Sequence, residues 1–327
     1  MRAPTLAQRL VLCVDIESPR KGLAMFLRID KLPVELPEST QIDPESASAV
    51  QELMGGRFGE MSTFNNYFTQ SMNLRGKAKL GPYYELVANI AAEELGHIQL
   101  VGAAINSLLN GPHGSRHNDG EVRATPIHDL TDTVNQYNPH HFIAAGRNAL
   151  PVDAGGRPWT GDYVFSSGNL ILDLLHNFFL ENTARTNKLR VYQMTKDPAA
   201  REMLGYLFVR GGVHAAAYGK ALEKLTGTKM NDMLPIPKIG NEMFPEAKKY
   251  MDMDSHTKLY RLSPDDYKHL DSIWEGESPD GGQCEVVDGP PQRMGEHVDL
   301  DGIGSAFAPE YHPEEVFEMA QKLYNRA

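Results

Sequence analysis

Cysteine is nearly absent: the 327-residue chain has two, Cys13 and Cys284, too few and too far apart for a disulfide framework or a thiolate metal site. That usage suits a reducing cytoplasm. Long apolar runs are missing too, and nothing approaches the roughly 18 consecutive apolar residues of a membrane span. Positive charge is in short supply: 32 Lys and Arg against 43 Asp and Glu leave a formal net charge of −11. With no basic stripe interleaved with aromatics, this argues against nucleic acid or an anionic membrane surface as partner. A working signal peptide is also lacking, since the apolar stretch after Arg2 is only about five residues long and no A-x-A cleavage site follows it. Met25 opens MFLRIDKLPVEL, which reads as a natural beginning. Residues 1–24 are therefore expected to be an over-long start or a disordered extension.

What is present is helix. Asp43-Pro44-Glu45 is a helix start with Asp as N-cap and Pro in the first turn, and a first helix is expected from about Pro44 to Leu74. Gly81-Pro82 opens a second, to about Leu109, ended by Asn110-Gly111-Pro112. A third is expected from about Ser167 to Thr195. After the short turn Lys196-Asp197-Pro198, a fourth runs to about Thr226. Between the second and third lies a polar stretch, 112–162, rich in Gly, Pro and His, with short helices expected only near Thr131 and Phe142. Short, long, short is the connection pattern of the ferritin-type bundle, in which one long crossover joins helices two and three. Residues 25–228 are thus expected to form an all-α, ferritin-like four-helix bundle. Residues 229–327, with many prolines and glycines and a helix only at about Pro313 to Arg326, read as an extended tail. It lacks a hydrophobic seam of its own and is expected to wrap neighbouring subunits, burying Trp274 and Phe307 there.

The second helix contains LVANIAAEELGHIQL, with Glu94 and His97 three residues apart, on one face and one turn from each other. They fall on the stripe Tyr83, Val87, Ile90, Glu94, His97, Val101, whose steps of four and three are those of a core-facing seam. A carboxylate pointing inward needs a cation or strong partners, because desolvating it alone is costly. The other helices repeat the intrusion. Their seams run Leu53, Glu60, Phe64, Tyr67; then Ile171, Leu174, Phe178, Glu181, Arg185, Lys188; then Leu204, Leu207, Gly211, His214, Tyr218. One buried histidine is more often a satisfied core residue than a ligand; acids and imidazoles at the middle of four seams are a constellation. Ferritin-like carboxylate proteins hold two metals with a Glu from each of two helices and a Glu-x-x-His from each of the others. Glu60 and Glu181 fit the lone acids, Glu94 and His97 the first Glu-x-x-His. On the fourth helix His214 is present, but Gly211 stands where the second acid would be. Oxygen and imidazole ligands without thiolate suit Mn or Fe. Five ligands with three carboxylates differ from the six expected of di-iron oxidation chemistry.

The segments MFLRIDKLPVELP, AVQELMGGRFGEMST, YYELVANIAAEELGHIQLV, KLRVYQM and AAREMLGYLFVRGGVHAAAYGKALEKLTG resemble the non-haem manganese catalases. The resemblance covers essentially Met25 through Leu225 and continues more loosely into the tail. It implies two manganese ions per chain, Glu60 and His97 serving one, Glu181 and His214 the other, with Glu94 bridging. It implies hydrogen peroxide as substrate, with one peroxide oxidising Mn(II)Mn(II) to Mn(III)Mn(III), taking up two protons and leaving as two waters. A second peroxide reduces the pair again and leaves as dioxygen and two protons. A cytoplasmic homo-hexamer is the expected form. Tyr67, two turns beyond Glu60, is a candidate to hold a ligand or bound solvent. Lys188, two turns beyond Glu181, is a candidate for proton handling or charge balance. Some members carry a Glu three residues before the fourth helix's His and an Arg just before the third helix's Glu. Here Gly211 and Leu180 stand there, which makes Lys188 the substitute for a carboxylate proton relay. Arg185 is a candidate partner for Glu93. Some members also hold a calcium ion at a subunit boundary, for which Glu85 and Asp252-Met253-Asp254 are the acidic candidates.

Two other readings share these residues. One is a di-iron oxidase or ferroxidase on the same bundle, against which Gly211 weighs. The other is a non-catalytic structural relative of the kind found in spore coats. His113, His117, His128, His140 and His141 crowd the crossover, and loop histidines of this sort are more often solvent-facing or packing residues than ligands.

Overall fold

The computed structural model describes residues 30–112, 144, 148–233, 239–292, 294–297 and 313–325. The short helices expected near Thr131 and Phe142, the five crossover histidines and Phe307 lie outside the described residues. The chain divides into Met1–Lys31 and Leu32–Ala327, and the architecture below is that of the second unit.

Side-chain caps set three of the helix starts. Asp43 accepts from Ser46 N at 2.9 Å and opens α1, Pro44–Gly55. Asn169 accepts from Ile171 N and Leu172 N and opens α4, Leu170–Met194. Asp197 accepts from Ala199 N and Ala200 N, with Pro198 in the first turn, and opens α5, Pro198–Thr226. Each cap satisfies amide groups that have no partner inside the helix. The second long helix of the bundle, α3, spans Gly81–Asn110 and ends at Gly111 with φ 71°, a backbone angle that glycine adopts without cost.

The expected single helix over 44–74 is two. After α1 the chain leaves helix at Gly56, and α2 begins at Glu60 and runs to Asn73. The reason is tertiary. The returning crossover passes so close to α1 that a Cβ on Gly55 would lie 2.5 Å from Val152 O, and Gln51 Nε2 donates to that same carbonyl. Glycine admits that approach. Glu60 consequently occupies the first turn of a helix, where the positive end of the macrodipole favours a carboxylate.

Helix α2 packs with α3 and α4 with α5, and α3 also meets α5, closing a four-helix bundle. Its apolar residues form two clusters. One is built around Leu53, Leu100, Ile105, Leu204 and Phe208, the other around Tyr67, Val87, Ile90, Phe178, Tyr218 and Trp274. The inward acids and imidazoles form the layer between them. The third seam carries one error: Ile171 is 41% exposed, because α4 has only begun to enter the bundle there.

Beyond α5 come α6, Met230–Met233, and α7, Pro245–Asp252, then β1, Lys258–Arg261, paired in parallel with β2, Glu285–Asp288, and finally α8, Pro313–Tyr324. The small sheet is an addition to the all-α expectation. Trp274 is buried in the second apolar cluster of its own chain, and its indole N–H donates to Thr257 O at 2.7 Å. It therefore gives no argument for a neighbouring subunit. Asn89 on α3 binds the segment at both edges, donating to Tyr260 O and accepting from Leu262 N. No helix among the described residues is long and apolar enough to cross a membrane.

Candidate metal centre

All five residues expected from the seams converge in the polar layer, and each is at most 2% exposed. Glu94 stands in the middle. Its Oε2 is 3.0 Å from His97 Nδ1 and its Oε1 is 2.8 Å from His214 Nδ1. Glu60 flanks His97, with Oε2 3.7 Å from Nδ1, and Glu181 flanks His214, with Oε1 3.4 Å from Nδ1. The two imidazoles lie nearly parallel, centroids 5.5 Å apart.

The donor set fits cations. Glu94, His97 and His214 each offer a ligand atom within 4.8 Å of the other two. Neither nitrogen of His214 makes a well-formed hydrogen bond, although Nδ1 lies 2.8 Å from Glu94 Oε1. Three carboxylates in an apolar bundle also demand positive charge. In the metal-free chain the imidazoles answer that demand themselves. Burial pulls the pKa of His97 down, but Glu94, Glu60 and Glu93 hold it well above the usual histidine value; for His214, Glu93, Glu181 and Glu94 outweigh burial in the same way. Oxygen and nitrogen donors without sulfur suit manganese or iron.

Tyr67 and Lys188 reach the site, each serving the acid on the other's helix. The Tyr67 hydroxyl on α2 donates to Glu181 Oε1 at 2.7 Å, and Lys188 Nζ on α4 lies 2.8 Å from Glu60 Oε1. Burial raises the pKa of Glu60, but Lys188 and His97 overcome it and hold the carboxyl well below its usual range. Burial likewise disfavours the Lys188 ammonium, and Glu60, Glu181 and Glu94 more than restore it.

Sequence reasoning missed two participants, Thr63 and Arg210. Thr63, one turn beyond Glu60, donates to Glu94 Oε2 at 3.1 Å. Glu93 pairs with Arg210, not with Arg185: Arg210 Nε donates to Oε1 at 2.6 Å and Nη2 to Oε2 at 3.0 Å. Arg185 instead donates to Phe208 O and to Asn241 Oδ1, and Asn241 donates in turn to Asp280. Arg210 also carried a signal, since it lies one turn before His214 on α5. Gly211 has a packing reason. A Cβ there would lie 3.1 Å from Arg185 Cγ and 3.4 Å from Glu181 Oε2, so the Arg185 stem fills the space that a sixth ligand would need. Two of the three acids considered for calcium have protein partners. Glu85 accepts from His269 N and lies 2.7 Å from its Nδ1, and Asp252 pairs with Lys248.

The sequence model of the family described as manganese containing catalase matches residues 25–327. The chain is 32% identical over 211 residues to the uncharacterized protein YjqC of Bacillus subtilis (strain 168), covering 64% of this chain and 73% of that protein. It is 34% identical over 183 residues to a manganese catalase of Bacillus subtilis, covering 56% of this chain and 64% of that protein, a little under two thirds of the relative. Among solved structures it is similar to wild-type KatB, a manganese catalase from Anabaena, with a TM-score of 0.51 and 20% identity over 81% of this chain and 100% of that one. At that identity the likeness speaks for the fold.

Proposed function

The chain belongs to the manganese-containing catalase family, and from that premise we propose that it disproportionates hydrogen peroxide to water and dioxygen at a two-manganese centre. The observation that carries this reading is the Glu94 carboxylate set between two imidazole Nδ1 atoms, one oxygen to each. Glu60 and His97 would hold one ion and Glu181 and His214 the other, with Glu94 offering an oxygen to each side. When bound, a manganese pair supplies reversible two-electron redox chemistry, one electron per ion, and lowers the pKa of solvent it binds.

The chain's own residues shape what that chemistry can do. Lys188 keeps a positive charge and its protons at Nζ beside Glu60, which offsets the excess of carboxylates. Tyr67 restrains Glu181 through its O–H and keeps that proton, because burial and the charge of Glu181 raise its pKa. The apolar clusters on either side keep bulk water from the site. Gly211, filled over by Arg185, leaves the set at three carboxylates, which favours this reading over a di-iron oxidase.

A cytoplasmic homo-hexamer remains part of the proposal. Self-association is supported by Phe68 and Met72 on α2 and Ile171, Leu172 and Phe179 on α4, all more than 40% exposed.

The test is oxygen evolution from hydrogen peroxide by purified protein, with metal content measured on the same sample. Manganese with fast oxygen release is the expected result. Iron with slow peroxide consumption would turn the assignment to the di-iron reading. A manganese-loaded but inert chain would leave the structural reading standing.

A further inference from the structure

Glu93 and Arg210 lie outside the ligand set, yet they join it to the segment that follows α7. Arg210 is fully buried. Its Nε and Nη2 clamp Glu93, its Nη1 donates to Ser255 O and Lys258 O at 2.7 Å each, and its guanidinium stacks 4.6 Å from the Tyr260 ring centre. The other face of Glu93 meets the imidazoles. Oε1 lies 3.6 Å from His97 Nε2 and Oε2 lies 3.3 Å from His214 Nε2. Both Nε2 atoms are buried and make no hydrogen bond.

The Nδ1 atoms of the same rings face Glu94. A ring that gives Nδ1 to a metal carries its proton on Nε2, and a buried N–H without an acceptor is costly. Among the described residues, Glu93 is the carboxylate that lies beside both Nε2 atoms, as Glu94 lies beside both Nδ1 atoms. Its two oxygens are held in place by the planar fork of one arginine, a geometry an ammonium cannot copy.

We propose that Glu93 is the positioning residue for both imidazoles and that Arg210 couples it to the docked segment 255–258, so that metal binding and order in that segment reinforce each other. The inference rests on the two-metal reading of the site and not on turnover. Coupling of this kind is reciprocal: whatever loosens the segment weakens the metal, and metal steadies the segment.

The test uses the full-length protein, Arg210→Lys and Glu93→Gln, with Lys224→Ala as a surface control. Two quantities are read besides activity. One is the Mn(II) dissociation constant against a competing chelator. The other is hydrogen exchange of amides 254–261 in manganese-loaded and metal-stripped protein. Both site variants should bind Mn(II) about 10–100-fold more weakly. Manganese should slow exchange over 254–261 in the wild type and in Lys224→Ala, and this protection should vanish in Arg210→Lys. A merely structural Arg210 would change exchange equally with and without metal. Wild-type manganese affinity in Glu93→Gln, or full metal-dependent protection in Arg210→Lys, overturns the proposal. If Arg210→Lys does not fold, the affinity of Glu93→Gln decides alone. Coupling without oxygen evolution would support the proposal while removing the catalase reading. A wild-type chain that takes up no metal would sink both.

Discussion

Lys188 Nζ lies 2.8 Å from Glu60 Oε1, bridging α4 to α2 in the polar layer, with both side chains out of contact with solvent. Removing one partner of a buried ion pair leaves the other charge uncompensated, at a cost of about 3–5 kcal/mol. Lys188→Met should therefore destabilise the metal-stripped protein by that order and the manganese-loaded protein by less, because bound cations also neutralise Glu60. Denaturant unfolding of the two forms measures the difference; equal losses would mean that Lys188 does not serve Glu60.

Tyr67→Phe removes one hydrogen bond to a buried carboxylate and little volume. A bond to a charged group contributes about 1.5–3 kcal/mol. Helical circular dichroism should be unchanged, while manganese should leave faster during chelator challenge. Unaltered release would reduce Tyr67 to a packing residue.

Glu181→Gln and His214→Ala each remove one donor from the same side of the centre. Both should abolish oxygen evolution and leave the helical signal largely intact. Near-normal turnover in either would make the ligand assignment wrong.

The imidazoles set opposite pH trends for the two forms of the protein. In the metal-stripped chain the pKa values of His97 and His214 are raised above 6.5. The stability they contribute is fully present below pH 6.5 and is lost as pH rises through the higher folded-state values. Metal must displace those protons, so manganese retention should fall as pH drops. Unfolding midpoints of stripped protein from pH 6 upward, together with metal retained after dialysis from pH 8 downward, test both signs. A stripped protein that gains stability over the alkaline range would contradict them.

Trp274 is 1% exposed against the chain's own bundle. Truncating so large a buried side chain costs about 3–5 kcal/mol. Trp274→Ala should lower stability by that order at any protein concentration. A loss that disappears on dilution would instead place the indole in a subunit contact.

Much of this architecture was legible in the chain. Asp43 marks a helix start because a cap acts on amides two or three residues away, whereas the third helix starts at Leu170, behind the cap Asn169, rather than at Ser167. The seam through Glu94 and His97 was readable because helical period alone puts them on one side. The break between α1 and α2 was not read, although Gly55, Gly56 and Gly59 advertised it. Its cause, the backbone at Val152, lies about a hundred residues further on. The seam of α4 was extended too far, to Ile171, since period does not say where a helix leaves the bundle.

The sequence by itself determined that the long helices of a bundle form, and that three glutamates and two histidines sit on their inward seams. Caps and periodicity are local, and each helix settles them alone. Only the tertiary structure decided the partners: Lys188 with Glu60, Tyr67 with Glu181, and Arg210 rather than Arg185 with Glu93. Those pairings depend on the rotation and height of each helix against the others. These are set by the packing of the whole core, and no single helix encodes them.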